Sequence, residues 1–394
     1  GKGQSDMADA RRFGQIHAVC DTDRRLLDPA AKAVRTENKF TDYRELLVAD
    51  PAISCNQAIP LAPRPEPRRR PTITDYRADT GTYYVQDIYA GPGLAGVPRG
   101  TVKSLRVVGL EFRAAGIGSN SNRGPAGGAL VSTPISINGS WDVKHVLGTA
   151  RVYEDGSACF RVPARTPVYF QALDDKNQAV QTMRSWSTLQ PGETFSCVGC
   201  HEPKNTSPPP AGAASLAMRA GPQDLDPFYG PPRGFSFARE IQPILDQRCV
   251  ECHNRRKVQS GQSTISLEGT AELDSGSLKR WSDAYKALAD PKLCSWVSPQ
   301  SAPPMLEPCH AGAVNSKLMR LLEEGHEGVE LAKEEWDKLA CWIDLAVPFS
   351  GDYTEGMDPN QVPKYDRWLD RRRHWQAEET ANIQSLLQSQ AQNP

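Results

Sequence analysis

The sequence predicts a mixed, multidomain fold, with a β-sandwich in the middle of the chain followed by an α-helical domain. Three observations predict it. Short β-branched and aromatic runs bounded by Gly, Pro and Asp fill residues 73–206. Apolar residues at helical spacing fill residues 233–356. A Pro-rich linker at 207–232, from Ser207-Pro208-Pro209-Pro210 to Gly230-Pro231-Pro232, separates the two. At 394 residues the chain is long enough for two or three cores.

In chain order, residues 1–72 are polar and mixed, and they close with Leu61-Ala62-Pro63-Arg64-Pro65-Glu66-Pro67-Arg68-Arg69-Arg70-Pro71, an extended linker whose basic run reads as a solvated stretch. In the middle domain, Thr82-Tyr83-Tyr84-Val85, Val102 to Val108, Thr149 to Tyr153 and Pro167-Val168-Tyr169-Phe170 read as strands, and Glu154-Asp155-Gly156 as the turn of a hairpin. In the helical domain Ser236 is the expected N-cap, with Phe237, Ile241, Ile244 and Leu245 at helical spacing and Pro243 interrupting them. A second helix runs from Ser316 to Glu324 and stops at Gly325. A third, Glu334 to Leu345, sets Trp336, Leu339, Ala340 and Ile343 on one face, and both Trp336 and Trp342 read as packing residues. Residues 357–394 form a C-terminal arm, with Arg367, Arg371, Arg372 and Arg373 among Trp368, Leu369 and Trp375, that packs on a partner or on its own domain.

The chemistry lies in a pentapeptide that occurs twice: Cys197-Val198-Gly199-Cys200-His201 and Cys249-Val250-Glu251-Cys252-His253. Two thiols three residues apart can add across the two vinyl groups of a porphyrin, and the adjacent imidazole then lies under the ring to bind iron. The chain therefore reads as a dihaem protein, with a β-sandwich middle domain carrying one c-type haem and an α-helical cytochrome c domain carrying a second. Zinc is the rival occupant, but four cysteines make one tetrahedral site when the pairs are about 15 to 20 residues apart, and these pairs are much further apart. A thioredoxin-like pair needs a βαβ context that is not seen around either motif. For the second haem His253 is the proximal ligand, and Met305, His310, Met319 and His326 are the distal candidates. Met319 falls within an amphipathic helix and reads as core.

Composition narrows the remaining classes. With 46 basic and 47 acidic side chains there is no strong global field for nucleic acid, so a redox partner must dock on local patches. No apolar run approaches 18 residues, so no membrane span is expected. The chain begins Gly1-Lys2-Gly3, which reads as a processed product or a piece of something longer. Covalent haem attachment in bacteria takes place outside the cytoplasmic membrane, which points to a periplasmic or otherwise extracytoplasmic location. The other cysteines, Cys20, Cys55, Cys159, Cys294, Cys309 and Cys341, fit an oxidising compartment in which some pair as disulfides.

Several blocks stand out together: Tyr84-Val85-Gln86-Asp87-Ile88-Tyr89, Gly96 to Lys103, Val162 to Leu173, Gln181-Thr182-Met183-Arg184-Ser185 and Phe195 to Glu202. Gln242-Pro243-Ile244-Leu245, Gly325-His326 and Cys341-Trp342-Ile343-Asp344-Leu345 continue the set. With these blocks the chain resembles the hydrazine synthase α-subunit family and its planctomycete-type multidomain cytochrome relatives. The resemblance implies that a β-propeller precedes the middle domain, so residues 1–72 look like the tail of that β-rich domain, with Asp50 to Cys55 on its exit. It implies a five-coordinate first haem that is the site of chemistry and a last haem with two His ligands that relays electrons. It ranks His326 first as distal ligand, then His310, then Met305. In hydrazine synthase the motif His binds zinc and a Tyr four residues later takes the iron. This chain has Asn205 at that position, so His201 is the expected iron ligand.

The leading functional reading is an extracytoplasmic dihaem cytochrome that passes electrons to or from a redox partner. The alternative is a haem enzyme subunit similar to hydrazine synthase α, an oxidoreductase with further subunits in which small nitrogen or oxygen species react at an open first haem. A third reading is a partner-binding β-sandwich with a redox-reporting cytochrome.

Overall fold

The computed structural model describes residues 7, 10–12, 14–21, 23–41, 72–111, 117, 134–140, 142–200, 214–297 and 305–392. The chain divides into two compact units, Gly1–Pro71 and Thr72–Pro394. In the first, β1 (Ala18–Cys20) pairs in parallel with β2 (Asn38–Phe40), and α1 (Arg24–Val34) makes the crossover between them. Asp23 caps α1 by accepting the Arg25 N–H, and Leu27, Ala31 and Val34 form its buried face. This stretch, expected as a β-rich propeller tail, thus carries a helix; Asp50 to Cys55 and the Pro/Arg run lie outside the described residues.

The second unit is built on two sheets. β3 (Thr80–Val85) is the middle of three strands, flanked by β6 (Ala158–Pro163), antiparallel, and β9 (Thr194–Cys197), parallel. The other sheet is antiparallel in the order β5 (Lys144–Arg151), β4 (Ser104–Leu110), β7 (Val168–Leu173), β8 (Ala179–Thr182). Side chains of a strand alternate between its faces, and β4 uses both. Leu105 and Val107 join Tyr83, Val85, Phe160 and Val162 of the first sheet in one core. Val108 joins Phe237, Ile241 and Trp342 of the helical segment in another. The four-stranded sheet is therefore covered on both sides, which explains why β4 is buried along nearly its whole length.

The turn at Glu154-Asp155-Gly156 forms, with Gly156 N–H donating to Tyr153 O at 2.8 Å, but it does not make the expected hairpin. β5 and β6, on either side of it, pair in different sheets, so the turn carries the chain from one sheet to the other. Turn chemistry specifies the reversal; strand partners are chosen by burial.

Residues 214–232 run across the sheets. α2 (Leu216–Ala220) is capped by Ser215, Gln223 bridges to Phe160 and Asp226 to Thr149. Tyr229 then donates to Asp337 Oδ2 at 2.6 Å. In the helical segment, α3 (Phe237–Glu240), capped by Ser236, breaks at Ile241, and α4 (Gln242–Arg248) restarts with Pro243 in its first turn, where the missing N–H costs nothing. α5 (Arg255–Gln259), a β10–β11 ribbon (Ala271–Asp274, Lys279–Ser282), α6 (Asp283–Leu288), α7 (Lys317–Glu324) and α8 (Lys333–Asp344) follow. In α8 Leu339, Ala340, Cys341, Trp342 and Ile343 are all buried, and Trp342 Nε1 donates to Pro348 O at 2.9 Å. The arm is a helix, α9 (Val362–Gln392), whose first turns pack Tyr365, Trp368 and Leu369 against Val143, Tyr353 and Met357. No helix among the described residues is long and apolar enough to cross a membrane.

Candidate haem-binding sites

The second motif grows out of α4, whose Ile244 and Leu245 are anchored in the core. Cys249 N–H donates to Leu245 O at 2.8 Å, and His253 N–H donates to Cys249 O at 2.9 Å. The motif is thus one further turn, which holds both thiols and the imidazole in fixed succession. Cys252 is exposed, whereas Cys249 is half-buried, and burial, with Glu335 nearby, pushes its thiol up to about 11.

α7 stops at Gly325, which has a φ of 97°, and the chain then delivers His326 to His253. The two ring centroids lie 6.0 Å apart with planes 17° from parallel. Two metal–nitrogen bonds of about 2 Å each, extended to the ring centres, span about 6 Å, so the pair fits an iron between its imidazoles. The tautomer of His253 follows from its neighbours. Ser263 Oγ donates its one proton to Ile265 O at 2.8 Å and lies 2.9 Å from His253 Nδ1. It can only accept there, so Nδ1 carries the hydrogen and Nε2 is left to ligate. Burial and the neighbouring His326 hold His253 below the ordinary imidazole range, favouring the neutral form that binds metal.

The first motif is built differently. Cys197 is the last residue of β9, so the motif starts at the end of a strand. It is clasped by residues 86–94. Gln86 and Asp87 donate their N–H groups to Cys197 O at 2.9 Å and Val198 O at 3.0 Å, and Gly93 N–H reaches Cys200 O at 3.2 Å. A Cβ on Gly199 would stand 2.1 Å from Ala90 O, and one on Gly93 would stand 2.9 Å from Cys200 Sγ. Only glycine admits this approach at either position. Cys197 and Cys200 are half-buried against the inter-sheet core. His201 and Asn205 lie outside the described residues.

Of the other distal candidates, Met319 is core at 2% exposure and Met305 is exposed. His310 is also exposed, and it lines a cavity with Gln181. Among the described residues no three His, Cys, Asp or Glu side chains converge on a common metal position. Cys159, Cys294, Cys309 and Cys341 form no disulfide among the described residues. Ser263, Gly93 and Gly199 escaped the sequence reading of the sites. The two glycines were visible in the chain, but the close approaches that require them are contacts between distant segments.

Residues 100–202, from the β3–β4 connection through the first motif, match the family described as hydrazine synthase alpha subunit middle domain. Hydrazine synthase subunit alpha of Kuenenia stuttgartiensis is 24% identical, over 61% of this chain and 35% of that protein. A solved chain of Kuenenia stuttgartiensis hydrazine synthase superposes with a TM-score of 0.50 at 20% identity, covering 72% of this chain and 44% of that one. Over these stretches the chain is similar to hydrazine synthase α subunits. It spans about a third of the curated relative's length. Among hydrazine synthase α-like features, the match ends within two residues of Cys200, so the first Cys-x-x-Cys pair lies inside it. The solved structure supports the mixed arrangement of sheets and helices.

Proposed function

We propose that this chain is an extracytoplasmic dihaem c-type cytochrome subunit that passes electrons to or from a redox partner. In this reading residues 73–206 are a β-sandwich haem domain, 207–232 its connecting strap, 233–356 a cytochrome c domain and 357–394 a docking arm. Cys197, Cys200 and His201 would hold the first haem, and Cys249, Cys252, His253 and His326 would hold the second. The observation that carries the proposal is the 6.0 Å separation of the His253 and His326 rings. A covalently held haem supplies a one-electron iron centre. Two imidazoles on one iron leave no open position for a substrate, and they keep ligation the same in both oxidation states. The chain's own part is to fix both rings, through the Gly325 stop and the Ser263 contact.

The match of residues 100–202 to a hydrazine synthase α middle domain favours a second reading for the first haem alone. There His201 would be the only strong ligand, and small nitrogen or oxygen species would react on the opposite face, within an assembly of further subunits. Low-temperature EPR with carbon monoxide titration of the purified chain tests both. A low-spin signal from the second haem is expected. Two low-spin haems and no carbon monoxide binding leave electron transfer as the whole function, and binding at one haem of two brings in the second reading. A second haem that is high-spin as isolated overturns the proposal.

A further inference from the structure

A cavity of about 300 Å³ lies between the four-stranded sheet and the helical segment. Two hydrogen-bond donors in its wall are incompletely used. Lys144 is buried, and its ammonium donates to Ser140 Oγ at 2.8 Å and, at 3.5 Å, to Asp142 O. Both are neutral oxygens, and among the described residues no carboxylate lies at ion-pair distance from it. Burial pushes the ammonium down to about 8, against the pull of the Asp142 charge. Tyr169, 8% exposed, lines the same cavity, and its hydroxyl makes no hydrogen bond among the described residues. Burial raises that phenol well above its ordinary value, so it remains an O–H donor. A buried cation held only by neutral oxygens, beside a hydroxyl with no hydrogen bond among the described residues, carries a desolvation cost that an anion between them would offset.

The cavity also reaches toward the first motif. Gln181 in its wall donates through Nε2 to Gly93 O at 2.8 Å and Leu306 O at 3.0 Å, and Gly93 is the residue that touches Cys200. Gln181 pairs with Ala172 on β7. Tyr169 is three residues from Ala172, about 10 Å along the strand. Arg184, Asp142, Glu307 and His310 also line the space, and so does Asp344, whose carboxylate is committed to Arg106, Ala179 and Ala313.

We infer that this cavity is an anion site, in which the Lys144 ammonium and the Tyr169 hydroxyl hold a carboxylate or small oxyanion. The anion comes either from a propionate of the first haem or from solution. The propionate source rests on the haem reading of the first motif, and the free source does not.

The test uses the haem-loaded chain, with its haem count fixed by intact mass, and Lys144→Met, Lys144→Arg and Tyr169→Phe variants. Calorimetric titration with sodium formate and sodium nitrate reads the free source, and the midpoint potential of each haem without added anion reads the propionate source. For a free anion, Lys144→Met weakens binding at least tenfold, Tyr169→Phe weakens it severalfold and Lys144→Arg retains it. For a propionate, no anion binds, Lys144→Met moves only the first haem to a more negative potential, because an unpaired carboxylate favours ferric iron, and Lys144→Arg restores it. A mass showing haem at the second motif alone removes the propionate source and the reading of the first motif, and leaves the formate and nitrate arm to decide. A chain that binds neither anion and whose first-haem potential is unmoved by Lys144→Met overturns the inference. Since Tyr169→Phe removes only an oxygen, it gives the same answer if the lysine variants misfold.

Discussion

Arg106, on β4 inside the four-stranded sheet, and Asp344, the last residue of α8, form an ion pair at 3.2 Å with both side chains buried. Asp344 also accepts the Ala179 N–H at 2.9 Å and the Ala313 N–H at 2.8 Å, while Arg106 reaches Gln171 Oε1 and Asn177 O, each at 2.9 Å. The pair joins the sheet that neighbours the first motif to the helix that backs the second. Removing one partner of a buried pair leaves an uncompensated charge, which costs about 3–5 kcal/mol. Arg106→Met and Asp344→Leu should each lower the free energy of unfolding by that amount in urea. The double variant should lose less than the two single losses added together; strict additivity would mean that the charges do not interact.

Covalent attachment of haem at both motifs predicts an intact mass, in denaturant, above that of the polypeptide by two haems. Cys249→Ser with Cys252→Ser should remove one of them and spare the other. Zinc in place of either haem would contradict the assignment.

Replacing His326 with Ala should convert one low-spin haem, about half the iron, to high spin or to a weaker ligand. His310→Ala should leave the spectrum of the second haem unchanged, since that side chain lines the cavity of Lys144 and Tyr169. The reverse pattern would move the distal ligand to His310.

Ser263→Ala deletes the acceptor at His253 Nδ1 and makes the imidazole a poorer donor to iron. Ferric iron loses more by this than ferrous, so the second haem's potential should shift to more positive values while the first haem's stays fixed. Equilibrium redox titration followed in the visible bands reads both.

Lys279 is fully buried, donating to Ser350 Oγ at 2.7 Å and to Glu355 O, and burial pushes it down from 10.5 to about 7. Between those two values the unfolded chain binds the proton and the folded chain does not. Stability should therefore rise with pH from about 7 toward 10.5, the penalty for the buried charge being fully present below 7. Lys279→Met should flatten that rise in urea midpoints measured across the same range, and an unchanged slope would place its origin elsewhere.

Legible in the residues alone is whatever depends on a few neighbours along the chain. Thiol spacing defined both motifs, Ser236 capped its helix, Pro243 fell in the first turn of the next one and Gly325 stopped α7, because sterics and backbone hydrogen bonds act within a turn or two. Only the tertiary structure decided which distant residues meet. It placed His326 rather than His310 or Met305 opposite His253, assigned β5 and β6 to different sheets across one turn, and buried Arg106 against Asp344. It also closed Lys144 and Tyr169 around a common cavity. These juxtapositions follow from a sheet whose two faces are both covered, and burying both faces at once is a condition on the whole chain that no local pattern carries.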